Sequence, residues 1–244
     1  MADEHSHQHR QTGYSPWRLL PILAILAGMI PFFAFGMDDY LTFATLAHRR
    51  DDLFAWRDAH YGLTALIFVA AYATMVTLSV PGSVWLTIAG GFLFGTVAST
   101  LLVVCSASLG SVAIFLAARY ALGEYLRARA GPTIRRMEAG FRQDAFSYLL
   151  FLRLIPLFPF WLVNLVPAFL GVPLRTYVLA TVIGIIPGSF VYSSIGNGLG
   201  SVFDADQVPN LDIVFEPAIL LPLIGLAALS LLPIAYKRYK QSKR

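Results

Sequence analysis

Residues 151–172 read FLRLIPLFPFWLVNLVPAFLGV, a stretch apolar enough for lipid that nevertheless carries Pro156, Pro159 and Pro167, one arginine, Arg153, and one asparagine, Asn164. Proline removes a backbone donor and its ring clashes with the carbonyl four residues back, so three prolines this close together do not fit one straight spanning helix. The stretch is expected to break. Backbone freed from a helix at membrane depth is tolerated only where protein or a water-filled cavity surrounds it, so a broken hydrophobic segment points to a lined site. The reading is a re-entrant hairpin over residues 146–172, with Gly171 among its turn and break residues.

The composition supports a membrane setting. Of 244 residues, 57% are hydrophobic and 13% charged, about half the charge of an ordinary soluble domain. Apolar runs near the length needed to cross a bilayer recur along the chain, so an all-α polytopic membrane domain accounts for nearly all of it. The net charge of +4 comes from basic residues flanking those runs, which suits anionic headgroups and gives no reason to invoke nucleic acid. Cys105 has no second cysteine to pair with.

Residues 1–16 form a polar tail with His5, His7 and His9; a short histidine run without a carboxylate or cysteine cluster is a weak metal site, and no metal or cofactor is expected. Residues 17–36 read as a transmembrane anchor, longer than the core of a signal peptide. Residues 37–60 form a charged outer loop with five aspartates and three arginines. The next block, 61–95, is apolar but punctuated by Pro81-Gly82-Ser83, and its second arm is short of a full crossing. It reads as a second hairpin. Residues 96–118 make a span with small residues at Ser106, Ser108, Gly110 and Ser111. Residues 119–145 hold six arginines, with Ile134, Met137 and Phe141 at helical spacing between the charges, and read as a basic cytoplasmic loop lying on the membrane surface as an amphipathic helix. A span over 174–195 follows, interrupted at Pro187-Gly188, then a loop over 197–216 with four acids and no Lys or Arg. The last span is 217–235, and a basic tail occupies 236–244.

Basic loops stay on the cytoplasmic side. With 61–95 opening outward and 146–172 opening inward, the arginine-rich loop and both termini fall on that side. Two full crossings at 61–95 give the same parity; the short second arm favours the hairpin. Hairpin plus span then occurs twice in opposite orientations, the inverted arrangement of transporters whose site lies between broken segments.

Arg153-Leu-Ile-Pro-Leu-Phe-Pro-Phe with Asn164 and Gly171, then Gly184-Ile-Ile-Pro-Gly-Ser and Tyr192 to Gly196, resembles the second half of the DedA/VTT superfamily. Val80-Pro-Gly-Ser through Gly91-Phe-Leu-Phe-Gly95 resembles its first half. The likeness covers about residues 60–200 and is nearest to the branch of SNARE-associated Golgi type proteins that includes a yeast vacuolar protein and bacterial relatives. It implies two facing re-entrant loops, movement of phospholipid or polyprenyl-phosphate lipids between leaflets, and a bacterial cytoplasmic membrane as the expected home. The chain departs from the DedA branch at two places: Ser83 follows Pro81-Gly82 where that branch has an acid, and Pro159 stands where it has a second arginine.

The acids point the same way. None lies between Asp58 and Glu124, and none between Asp144 and Asp204. Proton-driven carriers use an intramembrane carboxylate or histidine, so passive exchange is favoured. Arg153 is the charge set deepest within the two hairpins. Either a lipid phosphate completes its pairing, matching the guanidinium fork, or the side chain snorkels to the cytoplasmic face or caps carbonyls of the break. Asn164 is either a headgroup ligand or a clasp within the hairpin, and Ser83 is a third candidate for substrate contact. An intramembrane enzyme is not expected, because His48 and His60, the histidines outside the tail, sit in no apolar run. A carrier of a small ion or solute and a non-transporting membrane scaffold stay open as alternatives, as does assembly into a homo-oligomer.

Overall fold

A computed structural model describes residues 43–80, 82–129, 144–155, 160–204 and 216–242. Among these, all regular structure is helical: α1 Phe43–His48, α2 Arg50–Ala59, α3 Tyr61–Thr77, α4 Ser83–Phe94, α5 Thr96–Arg129, α6 Ala145–Leu154, α7 Phe160–Phe169, α8 Leu174–Asp204 and α9 Pro217–Ser242. Thr96–Tyr120, Leu174–Phe203 and Ile219–Tyr236 are each long and apolar enough to cross a membrane, and α2 with α3 makes a fourth, bent candidate. The protein is an integral membrane protein. Large apolar side chains such as Leu101, Leu109, Leu221 and Leu229 stay exposed on these helices, as lipid-facing positions do, because lipid tails are as apolar as leucine.

The 151–172 stretch does break. Helix α6 ends at Leu154, Ile155 is extended, and α7 begins at Phe160. Gly171, at φ +67°, turns the chain from α7 towards α8. The 61–95 block also divides, α3 ending at Thr77 and α4 starting at Ser83, across Ser79 at φ +53° and Gly82 at φ +119°. That angle at Gly82 is one that a side chain rarely tolerates. At 1.5 Å per residue α3 reaches about 25 Å, α4 about 18 Å, and α6 and α7 about 15 Å each, all short of a bilayer's ~30 Å hydrocarbon core.

Packing pairs the two halves by exchange. The first arm of each half lies on the long helix of its own half, α3 on α5 and α6 on α8. The second arm crosses over, α4 onto α8 and α7 onto α5, while α5 and α8 pack on each other at the centre. The α4–α8 crossing is so close that a Cβ on Gly91 would overlap the Ser193 carbonyl, and one on Gly196 the Ile88 carbonyl. One core cluster joins Phe115 and Ala118 of α5 to Leu149, Ala168, Val172 and Tyr177. Another joins Phe68, Tyr72 and Val76 of α3 to Val103 and Ala107 of α5.

Several expected boundaries move. Within the expected outer loop 37–60, Phe43–His48 and Arg50–Ala59 are helical; Asp51, Asp52 and Asp58 of α2 are exposed, while Arg50, Leu53, Phe54 and Arg57 are half-buried. Residues 119–129 of the expected basic segment continue α5, because Ala, Leu, Glu and Arg there are strong helix formers. Pro187 and Gly188 do not interrupt the following span: α8 runs through them to Asp204. A helix flanked by other helices absorbs one missing donor, and here α8 is held along its length by α4, α5 and α6. Pro167 likewise lies inside α7, at a buried position, and its carbonyl accepts from the Val172 N–H at 3.2 Å. The final span continues through the basic tail to Ser242. The tail 1–16, the run 17–36, residues 130–143 and 205–215, and Pro81, Pro156 and Pro159 lie outside the described residues.

Candidate functional site

Helix α6 delivers Arg153 one residue before its end, and α8 receives it. Gly184 makes that approach possible, since a Cβ there would come within 2.5 Å of Arg153 Cβ. The stem of the arginine therefore lies against the α8 backbone. Its Nη2 donates to Asn164 Oδ1 at 2.8 Å, Thr181 Oγ1 at 3.0 Å and Tyr177 Oη at 3.1 Å. Tyr177 and Thr181 are four residues apart, one turn of α8, so they present a single face.

The acceptors are themselves held. Asn164 is wholly buried, and its Oδ1 lies 3.1 Å from the Tyr177 hydroxyl and 3.4 Å from that of Ser111 on α5. The Tyr177 hydroxyl also reaches the Ser111 carbonyl at 3.3 Å, and its ring stacks on Phe115 at 4.4 Å between centroids. The Arg153 N–H, which can only donate, matches that atom as the amide oxygen. Elements α5, α6, α7 and α8 thus converge on one buried polar knot. Among the partners of this half-buried arginine are three uncharged oxygen acceptors from α7 and α8.

Arg153 also borders a cleft of about 170 Å³ between the two halves. From the first half come Tyr72, Ser83 and Thr87, and from the second Arg153, Gly188, Ser189 and Tyr192. Tyr72 and Thr87 share a hydrogen bond at 3.0 Å, and the Thr87 hydroxyl donates to the Ser83 carbonyl at 2.9 Å. Val84, Leu154, Ile185 and Leu223 supply apolar wall.

The candidates from sequence therefore separate. Arg153, Ser83 and Gly188 come together at the cleft. Asn164 stands behind the arginine as a clasp and is not part of the lining. The Arg153 head is turned into side chains of α7 and α8. Tyr177 and Thr181 were not singled out by sequence reasoning, and Ser111 and Gly184 entered it only as a small packing residue and as part of the family motif. The i, i+4 polar pair Tyr177/Thr181 within an apolar span was the available signal. Among the described residues no three His, Cys, Asp or Glu side chains lie together.

Comparison with known proteins adds the family. Residues 80–198 match the VTT domain, a segment that contains Ser83, Arg153, Asn164, Tyr177 and Thr181. The chain is 29% identical over 192 residues to Transmembrane protein 41B of Danio rerio, covering 77% of this chain and 66% of that one. It is 28% identical over 192 residues to Transmembrane protein 41B of Homo sapiens, at 77% and 64% coverage. Against the Transmembrane protein 41 homolog of Caenorhabditis elegans it is 26% identical over 190 residues, at 77% and 75%. The chain thus spans a little under two-thirds of the length of the fish and human proteins. No solved structure matches it.

Proposed function

The chain belongs to the VTT-domain superfamily of DedA/SNARE-associated Golgi type, and on that footing we propose that it moves phosphate-bearing lipids between the two leaflets of a bilayer, passively and without bond chemistry. The observation that carries the reading is the cleft between the halves, which an arginine of one half and hydroxyl side chains of the other line together with a partly apolar wall. A lipid is the molecule that needs both at once: its phosphate suits the guanidinium fork, and its acyl chains suit the apolar side. In this reading the two broken helix pairs are re-entrant, the cleft opens sideways to lipid, and Arg153 passes the headgroup between leaflets. The lipid class is phospholipid or polyprenyl phosphate, and the setting is a bacterial cytoplasmic membrane with both termini inside.

Passive exchange follows from the acids. The segments that build the cleft hold no Asp or Glu between Asp58 and Glu124 or between Asp144 and Asp204, so a proton has no carboxylate on which to ride. A carrier for a small hydrophilic solute is less well suited, because Val84, Leu154, Ile185 and Leu223 leave much of the wall apolar. A scaffold has no use for the cleft. The test is lipid exchange in liposomes containing the purified protein, with headgroup-labelled anionic and zwitterionic lipids and no pH gradient. Acceleration over protein-free vesicles is expected; none with either lipid class would sink the proposal.

A further inference from the structure

Helix α9 lies outside the VTT match and still contributes a wall to the cleft between the halves. Its buried residues Leu223, Ala227, Ser230 and Ile234 are spaced four, three and four apart, which puts them on one narrow stripe. That stripe rests on α6, the one described helix on which α9 packs extensively. The remaining faces are open: Leu221, Ile224, Leu226 and Leu229 are all exposed, which in this setting means turned to acyl chains. At the cleft, α9 is therefore a single layer with lipid on its far side.

Leu223 is the α9 residue that reaches the cleft lining. It is 7% exposed, whereas Pro222 and Ile224 on either side of it are exposed. Across the cleft stand Val84 and Thr87 of α4 and Ile185, Ser189 and Tyr192 of α8, and Val84 is itself exposed. Helices α4 and α8 are locked to each other by backbone contact at Gly91 and Gly196, but α9 packs extensively on neither. The seam between α9 and that pair is thus closed at this level by side chains and not by a helix crossing. Pro222 also withdraws one helical hydrogen bond from the turn before Leu223. Depth matters as well: Leu223 is four residues inside the apolar run Ile219–Tyr236, about 6 Å along the helix axis. A headgroup in the leaflet at the N-terminal end of α9 has only that distance to travel.

We propose that the seam between α9 and the α4–α8 pair is the lateral entrance by which phospholipid headgroups of that leaflet reach the cleft, and that the Leu223 side chain sets its width. The purpose of the entrance rests on the lipid-movement reading, but headgroup entry itself is measurable without exchange.

The test uses the full chain in liposomes, with Cys105→Ser removing the one native thiol. Leu223→Cys and Ile224→Cys then place a thiol at nearly the same depth, one facing the cleft and one facing acyl chains. The vesicles contain phosphatidylethanolamine whose amine carries a maleimide, and attachment of a lipid is read as a mass shift. Alkylation is expected to be several-fold faster at 223 than at 224; equal rates, or a faster rate at 224, overturn the entrance. Width is read by leaflet exchange of a labelled phospholipid at matched protein density: Leu223→Ala should exchange faster than wild type and Leu223→Trp several-fold slower. If wild-type protein gives no exchange, the lipid-movement reading fails, while faster alkylation at 223 still upholds the entrance. Where wild-type protein does exchange lipid, equal rates in all three proteins overturn the role of Leu223. If Leu223→Trp does not accumulate, Leu223→Ala decides, because its predicted change is a gain.

Discussion

Replacing Gly184 by alanine puts a methyl group 2.5 Å from Arg153 Cβ, 3.2 Å from its Cγ and 3.4 Å from Leu150 Cδ1. Carbon atoms rest at about 3.5–4.0 Å, so α6 and α8 must part by about 1 Å. The bonds from Arg153 Nη2 to Asn164, Thr181 and Tyr177 start at 2.8–3.1 Å, and a parting of that size takes them past useful length. Overpacking costs about 1–3 kcal/mol and a lost hydrogen bond to a charged group about 1.5–3 kcal/mol. Because relaxation trades one against the other, we expect about 2–3 kcal/mol in total. For a chain of this size that corresponds to a fall of roughly 5–10 °C in thermal midpoint. Gly188→Ala is the matched comparison: nothing lies within 4 Å of its added Cβ, so its midpoint should hold or rise slightly. Thermal unfolding of the purified proteins in one detergent reads both. Equal midpoints for wild type and Gly184→Ala would refute the close α6–α8 approach and with it the placement of Arg153.

Gly91→Ala is expected to prevent accumulation of folded protein, because the new methyl meets the Ser193 backbone carbonyl and backbone cannot turn aside; membrane-fraction yield checks it. Tyr177→Phe keeps the stack on Phe115 but deletes the hydroxyl that bonds Arg153 and the Ser111 carbonyl, and should cost about 1–3 kcal/mol by the same unfolding measurement. Ser83→Phe should block the cleft from the first half, lowering lipid exchange in proteoliposomes while leaving the thermal midpoint near that of wild type. Unchanged exchange in that variant would detach Ser83 from the lipid path.

The sequence was most informative where a rule of backbone chemistry applied. The described helices end on either side of Pro156 and Pro159, α6 at Leu154 and α7 from Phe160, and on either side of Pro81-Gly82, α3 at Thr77 and α4 from Ser83. Pro167 and Pro187 obeyed the same rule less well, because neighbouring helices in lipid hold a helix together around one missing donor. Charge misled at residues 43–59, which look like a connector in hydropathy but are helical, and at residues 119–129 it hid only that the helix is continuous with the preceding span. Arg153 and Asn164 stood out as polar residues in an apolar run, and they do meet, at 2.8 Å. Their partners Tyr177, Thr181 and Ser111 sit on other helices, and which faces meet is set by close crossings at Gly91, Gly184 and Gly196 that a one-dimensional pattern does not encode. The exchange of second arms between halves was likewise invisible from hydropathy, since it depends on which long helix each short arm crosses.

The account turns on whether the Arg153 guanidinium handles a lipid phosphate. The direct measurement is leaflet exchange of a headgroup-labelled anionic phospholipid in liposomes carrying either wild-type protein or Arg153→Lys, with matched protein density and unfolding profiles. Lysine keeps the charge but loses the fork, so exchange should drop at least several-fold while the protein stays folded. Equal rates in the two sets of vesicles would contradict the claim.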